Sequence, residues 1–154
     1  MASASKALFP GSTSLAVDEA GQLAVTGGSD GAVGVFSISE NKVQQSFKAG
    51  SAVTGALWYG GHPVVSTSSG AVKVLGKGQV SFTSHAGSAN GLALHPSGEI
   101  LASVGVDKSF VFYDLPGGSA VTQVYTDSGM HYFLHCERTQ ANHICRSQRR
   151  CVPS

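Results

Sequence analysis

Residues 92–114, LALHPSGEILASVGVDKSFVFYD, decide the fold because they repeat an earlier stretch of the chain. Shifted back by 77 positions, they align without a gap on residues 15–37, LAVDEAGQLAVTGGSDGAVGVFS. Internal similarity at a fixed spacing indicates that each copy folds as one supersecondary unit that stacks on its neighbours. Asp107 falls on Asp30 in this alignment, so we predict that the two aspartates occupy equivalent tight turns.

A shorter third copy, VVSTSSGAVKVL at residues 64–75, lies between the two and carries Ser69 where they carry the turn aspartate. The spacing of 77 is therefore two periods, and a period of about 40 residues is typical of four-stranded propeller blades. Apolar residues alternate with period two inside the copies, and turn formers such as HPSG at residues 95–98 separate the strands. The sequence predicts an all-β fold: a partial β-propeller of about three blades in an open ring, with an irregular C-terminal tail.

The composition divides the chain into two unlike parts near Gly129. All four arginines and all three cysteines follow this residue, whereas 19 of the 20 glycines lie at or before residue 118. We expect a lead-in at residues 1–11, propeller blades within residues 12–128, and an unrelated, disordered tail at residues 129–154. The individual blades are expected near residues 12–47, 48–82 and 83–126.

The tail lacks the alternation and the turn residues that should open a fourth blade. It is expected to be disordered, or at most a frayed helix around Met130–Glu137. Two origins remain open, namely a translated intron or shifted reading frame, and a genuine C-terminal extension. The tail also holds possible zinc ligands and a short basic run, but the spacings fit no zinc finger and three arginines are a weak signal for RNA contact or nuclear import. These residues are His135, Cys136, His143, Cys145 and Cys151, and Arg146, Arg149 and Arg150.

Charge and hydropathy argue against several classes of function. The formal charge of +1 is too small to attract phosphate backbones or anionic lipid from a distance. No signal-peptide core opens the chain, and no apolar run reaches the length of about eighteen residues that spans a bilayer. All three cysteines fall in the tail, so the repeats need no disulfide. We therefore expect an intracellular protein that neither binds nucleic acid directly nor enters the membrane.

Residues 85–114 resemble the WD-repeat family. They carry His85 ahead of the first strand, Asp107 in a tight turn, and the pair Tyr113-Asp114 where the family has Trp-Asp. The two earlier copies match less closely, with Phe-Ser and Leu-Gly at the terminal pair. The resemblance implies a propeller blade that presents loops for binding other proteins.

The same resemblance implies a structural hydrogen-bond network in the third blade, formed by His85, Ser103, Asp107 and Tyr113. A serine, a histidine and an aspartate are also the residue types of a hydrolase triad. We interpret the set as structural, because a fully satisfied buried network holds the strands of a blade in register. No catalytic, cofactor-binding or metal-binding residue is predicted.

A more specific resemblance covers residues 7–128. The phrases LFPGSTSLAV, GGSDGAVGVFS, AVTGALW and HPSGEILASVGVDKSFVFYDL are similar to the propellers of the pre-mRNA-processing factor 19 family in its fungal form. Members of that family are ubiquitin ligases and scaffolds of the spliceosome-associated nineteen complex. The resemblance implies a nuclear protein, connected with mRNA splicing and DNA repair, whose partners are splicing-complex subunits and ubiquitination substrates.

That family begins with a U-box and a coiled coil, and neither is found in this sequence. We therefore expect no ligase activity from this chain and predict a protein-interaction platform. Two alternatives remain, a WD-repeat adaptor of another pathway and an enzyme built on a propeller. Open propeller edges could also support self-association. Trp58, the single tryptophan, is interpreted as a contact between blades.

Overall fold

The described part of the chain consists of strands and turns. A computed structural model describes residues 11–76 and 78–125 in full, and the backbone of residues 132–138 and 143–149. Within these residues all regular structure is β-strand. They accordingly include no helix with the length and hydropathy needed to cross a bilayer.

Three antiparallel sheets of four strands follow one another along the chain, and in each sheet the strands are paired in sequence order. Blade one comprises β1 (Ser12–Val17), β2 (Leu23–Gly28), β3 (Ala32–Ser37) and β4 (Lys42–Lys48). Blade two comprises β5 (Val53–Tyr59), β6 (His62–Thr67), β7 (Ala71–Val74) and β8 (Val80–Thr83). Blade three comprises β9 (Ala89–Leu94), β10 (Ile100–Gly105), β11 (Ser109–Asp114) and β12 (Ser119–Tyr125).

The turn between the second and third strands has the same backbone in every blade. Its third residue donates its N–H to the last carbonyl of the second strand, at 3.1, 3.1 and 3.3 Å in blades one to three. That residue has a positive φ in each case, 81° for Gly31, 87° for Gly70 and 63° for Lys108. Asp30 and Asp107 each accept from the backbone N–H two residues later, at 3.0 and 3.2 Å. The predicted equivalence of the two aspartate turns is confirmed.

The blades pack face to face around their first strands. Strand β5 lies between β1 and β9, so the first strands of successive blades are neighbours. An apolar layer fills each interface and removes aliphatic surface from water. Between blades one and two the buried members are Val25, Val33, Ala49, Val53, Val65 and Leu75. Between blades two and three they are Val64, Val72, Phe82, Ala89, Leu101, Val111 and Tyr113.

Blade one leaves apolar side chains exposed on its first strand. Leu15 is 66% exposed and Val17 51%, because no described element packs over these side chains of β1. The sheets thus form an open arc rather than a closed ring. The prediction of an all-β, partial propeller of about three blades is confirmed. Self-association through the open edges stays a prediction.

The described parts of the tail are strands. Strand β13 (Tyr132–Arg138) pairs with β14 (His143–Arg149) in an antiparallel hairpin. This corrects the expectation of a frayed helix around Met130–Glu137 and differs from the expectation of disorder and irregular structure. The physical reason is the open side of blade three, where β13 lies beside β9 and β10 much as β9 lies beside β5 and β6. The hairpin therefore occupies the place of the first two strands of a further blade.

Candidate functional site

His85 is the centre of a polar network between blades two and three. It lies in the connection that follows β8, and only 5% of its surface is exposed. Its Nε2 shares a hydrogen bond of 2.6 Å with Ser103 Oγ, whose oxygen is 2.9 Å from Tyr113 Oη. On the other side of the ring, Nδ1 lies 3.1 Å from Asp107 Oδ1 and 2.9 Å from Ser109 Oγ. The structure thus places the four sequence-predicted residues in one hydrogen-bonded chain.

The donors and acceptors in this hydrogen-bond network are mutually consistent when Nδ1 of His85 carries the hydrogen. The carboxylate of Asp107 can only accept, so the Nδ1–H donates toward it. The hydroxyl of Ser103 then donates to Nε2, and that of Tyr113 donates to Ser103. Each of these side-chain polar groups has a partner, which is the condition under which such a network stabilises a fold.

Asp107 clamps the connection between blades to the turn of blade three. Its Oδ2 accepts from the N–H of Ala86 at 3.0 Å, and its Oδ1 accepts from the hydroxyl of Ser109 at 2.8 Å. Burial by itself would raise the pKa of Asp107, but the hydrogen bonds from Ala86, Ser109 and His85, and the charge interaction with His85, outweigh it. The pKa of Asp107 therefore lies below its ordinary value.

Tyr113 closes the inner end of the network. It is fully buried, and its ring centroid lies 4.7 Å from that of Phe82 with the planes tilted by 40°. Burial raises the pKa of the Tyr113 phenol, against the opposing effect of hydrogen bonds with Ser103 and Ser84. The ring thus fills the interface between blades while its hydroxyl is satisfied, as buried tyrosines require.

Sequence reasoning missed three members of the site. Ser109 stands two residues after Asp107, where a hydroxyl can reach the turn carboxylate, so its spacing was a usable signal. Gln123 on β12 donates to Ser84 O at 3.1 Å and to Ser109 Oγ at 3.2 Å, and nothing in its own strand marks it. The third is Gly105, against which the side chains of His85 and Asp107 pack.

A side chain at Gly105 would collide with the network. A Cβ at this position would stand 2.4 Å from His85 Nδ1 and 2.6 Å from Asp107 Oδ1. Real Cβ atoms essentially never approach other atoms so closely. The glycine is therefore required by close packing and not by a left-handed backbone.

Blade two lacks this network and carries residues that are either small or apolar at most of the corresponding positions. Hydrogen bonds set the correspondence: Ala49 N donates to Gly31 O at 2.8 Å as His85 N donates to Gly70 O at 3.5 Å. A buried polar network stabilises a fold when all its groups are hydrogen-bonded and destabilises it when some are not. Replacing its members together, as in blade two, avoids an incomplete network. Relative to His85, Ser103, Gly105, Asp107, Ser109 and Tyr113, blade two carries Ala49, Val65, Thr67, Ser69, Ala71 and Leu75.

The order Ser103, His85, Asp107 is that of a hydrolase triad, yet the geometry does not suit catalysis. A catalytic serine has to reach a substrate carbonyl. Ser103 is 0% exposed, and its hydroxyl already bonds both His85 and Tyr113. The surface groove between blades one and two, which includes Phe47 and His62 in its lining, contains none of the triad residues. The network therefore holds the strands of the blade together.

The comparisons with known proteins agree with this geometry. Residues 76–114 match the family model described as WD domain, G-beta repeat. The segment is similar to a WD repeat. The match includes the network residues from His85 to Tyr113 and extends over β9, β10 and β11. WD-repeat propellers are generally non-catalytic and generally mediate contacts between proteins.

A solved structure titled "Structure of U3-55K" shares the fold. Its similarity to this chain has a TM-score of 0.75 at 16% sequence identity, and it covers 81% of this chain. The chain spans 42% of the length of that protein. A search of curated protein sequences finds no match.

The remaining sequence candidates are distributed as follows. Trp58 donates its Nε1–H to Ala16 O at 3.1 Å, so it joins blade two to blade one. In the part of the chain whose side chains are described, no group of three or more His, Cys, Asp or Glu could hold a metal ion. The side chains of the tail candidates lie outside the described residues, although the backbone register sets Cys136 opposite Cys145. These candidates are His135, Cys136, His143, Cys145, Cys151, Arg146, Arg149 and Arg150.

The lowered pKa of Asp107 predicts acid sensitivity. In the unfolded chain an aspartate titrates near pH 4, and in the fold Asp107 titrates lower. Its contribution to the free energy of unfolding is therefore present above about pH 4 and is lost as pH falls through the folded value. Urea midpoints measured from pH 6 down to about pH 2 should fall more steeply for the wild type than for Asp107→Asn. Parallel curves for the two proteins would show that Asp107 has no lowered pKa.

Proposed function

We propose that this chain is a protein-interaction platform whose partners dock on the end of the propeller where the interblade connections meet the tight turns. We call this surface the loop end; it consists of residues 29–31, 49–52, 68–70, 84–88 and 106–108. The function belongs to splicing, as for the pre-mRNA-processing factor 19 family that the sequence resembles. Its partners are then splicing-complex subunits and proteins destined for ubiquitination in the nucleus.

One observation supports this choice of surface above all: hydrogen bonds tie each tight turn of blades two and three to the connection that enters the same blade. Ser68 N donates to Ala52 O at 2.8 Å, and Val106 N donates to Ser88 O at 2.9 Å. In blade three the side chain of Asp107 adds a third tie, to Ala86 N. Loops held in this way on a rigid scaffold are the usual carriers of binding residues.

Blade three presents the most distinctive part of the loop end. Val106 is 51% exposed at the tip of its turn, although it is aliphatic. Lys108 follows it with an exposed side chain and a left-handed backbone. An exposed apolar residue beside a cation, fixed by a buried network, is suited to contact with a partner's apolar and acidic side chains.

The test is affinity purification from nuclear extract, with quantitative mass spectrometry of the bound proteins. Splicing-complex subunits should be enriched with the wild type and reduced at least about tenfold by Val106→Glu, because a buried carboxylate in the interface would lack a partner. Glu19→Lys is the matched control, since this exposed residue in the β1–β2 turn lies at the opposite end of the blade. Loss of the same proteins with Glu19→Lys and retention with Val106→Glu would refute the assigned surface. Enrichment of proteins from another pathway would favour the alternative of a different WD-repeat adaptor.

A further inference from the structure

Blade two lacks the ion pair that blade three forms between His85 and Asp107. The turn aspartate is replaced by Ser69, whose exposed hydroxyl accepts from Ser51 Oγ at 2.9 Å and lies 3.0 Å from Thr67 Oγ1. The hydroxyl of Thr67 is fully buried and donates to Ala71 O at 3.0 Å, so it supports Ser69 from within. The hydroxyls of Ser51 and Ser69 can each donate a hydrogen bond to an anion after rotation.

The side chain of Lys73 extends toward the same end of blade two. Lys73 lies opposite Val65 on the neighbouring strand, the residue that replaces Ser103. Its side chain is half-buried, and its Nζ stands 3.7 Å from the position of a Cβ on Gly50, next to Ser51.

This ammonium group has no carboxylate partner in the described part of the chain. The ion pairs there join Lys42 with Glu40 and His85 with Asp107. Asp30 in the adjacent blade accepts from the backbone of its own turn and makes no ion pair with Lys73. A half-buried cation without a partner is costly, and an anion that neutralises it gains more than it would at a fully exposed lysine.

We propose that the hydroxyls of Ser51 and Ser69 and the amine of Lys73 form an anion-binding site, which we call the rim site. The rim site takes an anionic oxygen group from a partner protein, either the carboxylate of an acidic side chain or a phosphoryl group. It stands at the loop end, so it deepens the proposed function and depends on it for the source of the anion. The ligand completes in blade two the charge arrangement that Asp107 supplies within blade three.

Thermal unfolding of the intact chain in different anions tests the rim site without any partner protein. Sodium acetate and sodium phosphate are compared with sodium chloride at the same ionic strength and pH. An anion present at about ten times its dissociation constant should raise the unfolding midpoint by roughly 3–6 °C. A rise in both anions assigns the site to carboxylates and phosphoryl groups alike, and a rise in phosphate alone assigns it to phosphoryl groups.

Variants separate this site from general salt effects. Lys73→Met keeps the apolar stem and should abolish the rise, whereas Lys48→Met removes an exposed lysine of β4 and should preserve it. Ser69→Asp supplies the anion internally, so it should raise the midpoint in chloride and remove the effect of added anions. The rim site is refuted if no anion exceeds chloride, or if the rise persists in Lys73→Met. Because only ions are used, such a failure is distinct from a failure to bind splicing-complex proteins.

Discussion

Gly105→Ala should lower the free energy of unfolding by about 2–4 kcal/mol, as the combined cost of overpacking and of buried polar groups left unpaired. The added methyl group would stand within 2.6 Å of both His85 Nδ1 and Asp107 Oδ1, and both are held from other sides. His85 is fixed by Ser103, and Asp107 by the N–H of Ala86. Chemical denaturation of the wild type and the variant gives the difference directly.

Blade two provides the control for this prediction, because it carries Thr67 at the position of Gly105, with Ala49 and Ser69 in place of the histidine and the aspartate. A background of His85→Ala with Asp107→Ser reproduces those two residues in blade three. In that background Gly105→Ala should change stability by less than about 0.5 kcal/mol, since nothing remains for the methyl group to displace. An equal loss in both backgrounds would show that the glycine is needed for its backbone and not for the network.

Asp107→Ala should destabilise the chain by about 1–3 kcal/mol, because it leaves two buried donors and one exposed backbone donor without their acceptor. The donors are the N–H of Ala86, the hydroxyl of Ser109 and the Nδ1–H of His85, which loses its charged partner as well. Hydrogen exchange should show the same effect locally, as faster exchange in the connection that enters blade three. The urea midpoint measures the global loss.

Ser69→Ala is the matched variant in blade two, since Ser69 holds the same turn position. Its hydroxyl is exposed and bonds only other hydroxyls, so the expected change is within about 0.5 kcal/mol. Similar midpoint shifts for Asp107→Ala and Ser69→Ala would mean that the aspartate contributes no more than an ordinary surface residue. That result would also remove the physical basis of the acid sensitivity predicted for Asp107.

Local signals in the sequence were sufficient for the repeat, and the resemblance to WD repeats supplied part of the network. The alignment of residues 15–37 with residues 92–114 depends on alternating strands and on turns, which are properties of neighbouring residues. The assignment of His85 and Asp107 followed from the resemblance to the WD-repeat family and not from those signals. Local reasoning also led to the expectation of disorder or at most a frayed helix around residues 130–137, of which the structure describes residues 132–137 as part of the strand β13. The pairing of β13 beside blade three depends on an open sheet face far away in sequence.

The sequence by itself determined that this chain folds as an arc of four-stranded blades and that one of them carries a WD-type histidine and aspartate. Only the tertiary structure decided that Gln123 joins them, that Gly105 must lack a side chain beside His85, and that blade two has an apolar core with a lysine at its rim that has no ion-pair partner among the described residues. The reason is the sequence separation over which each kind of interaction acts. Period and turn chemistry act between residues a few positions apart, whereas these contacts join residues separated by 14 to 39 positions, and their distances are fixed by how one sheet packs on the next.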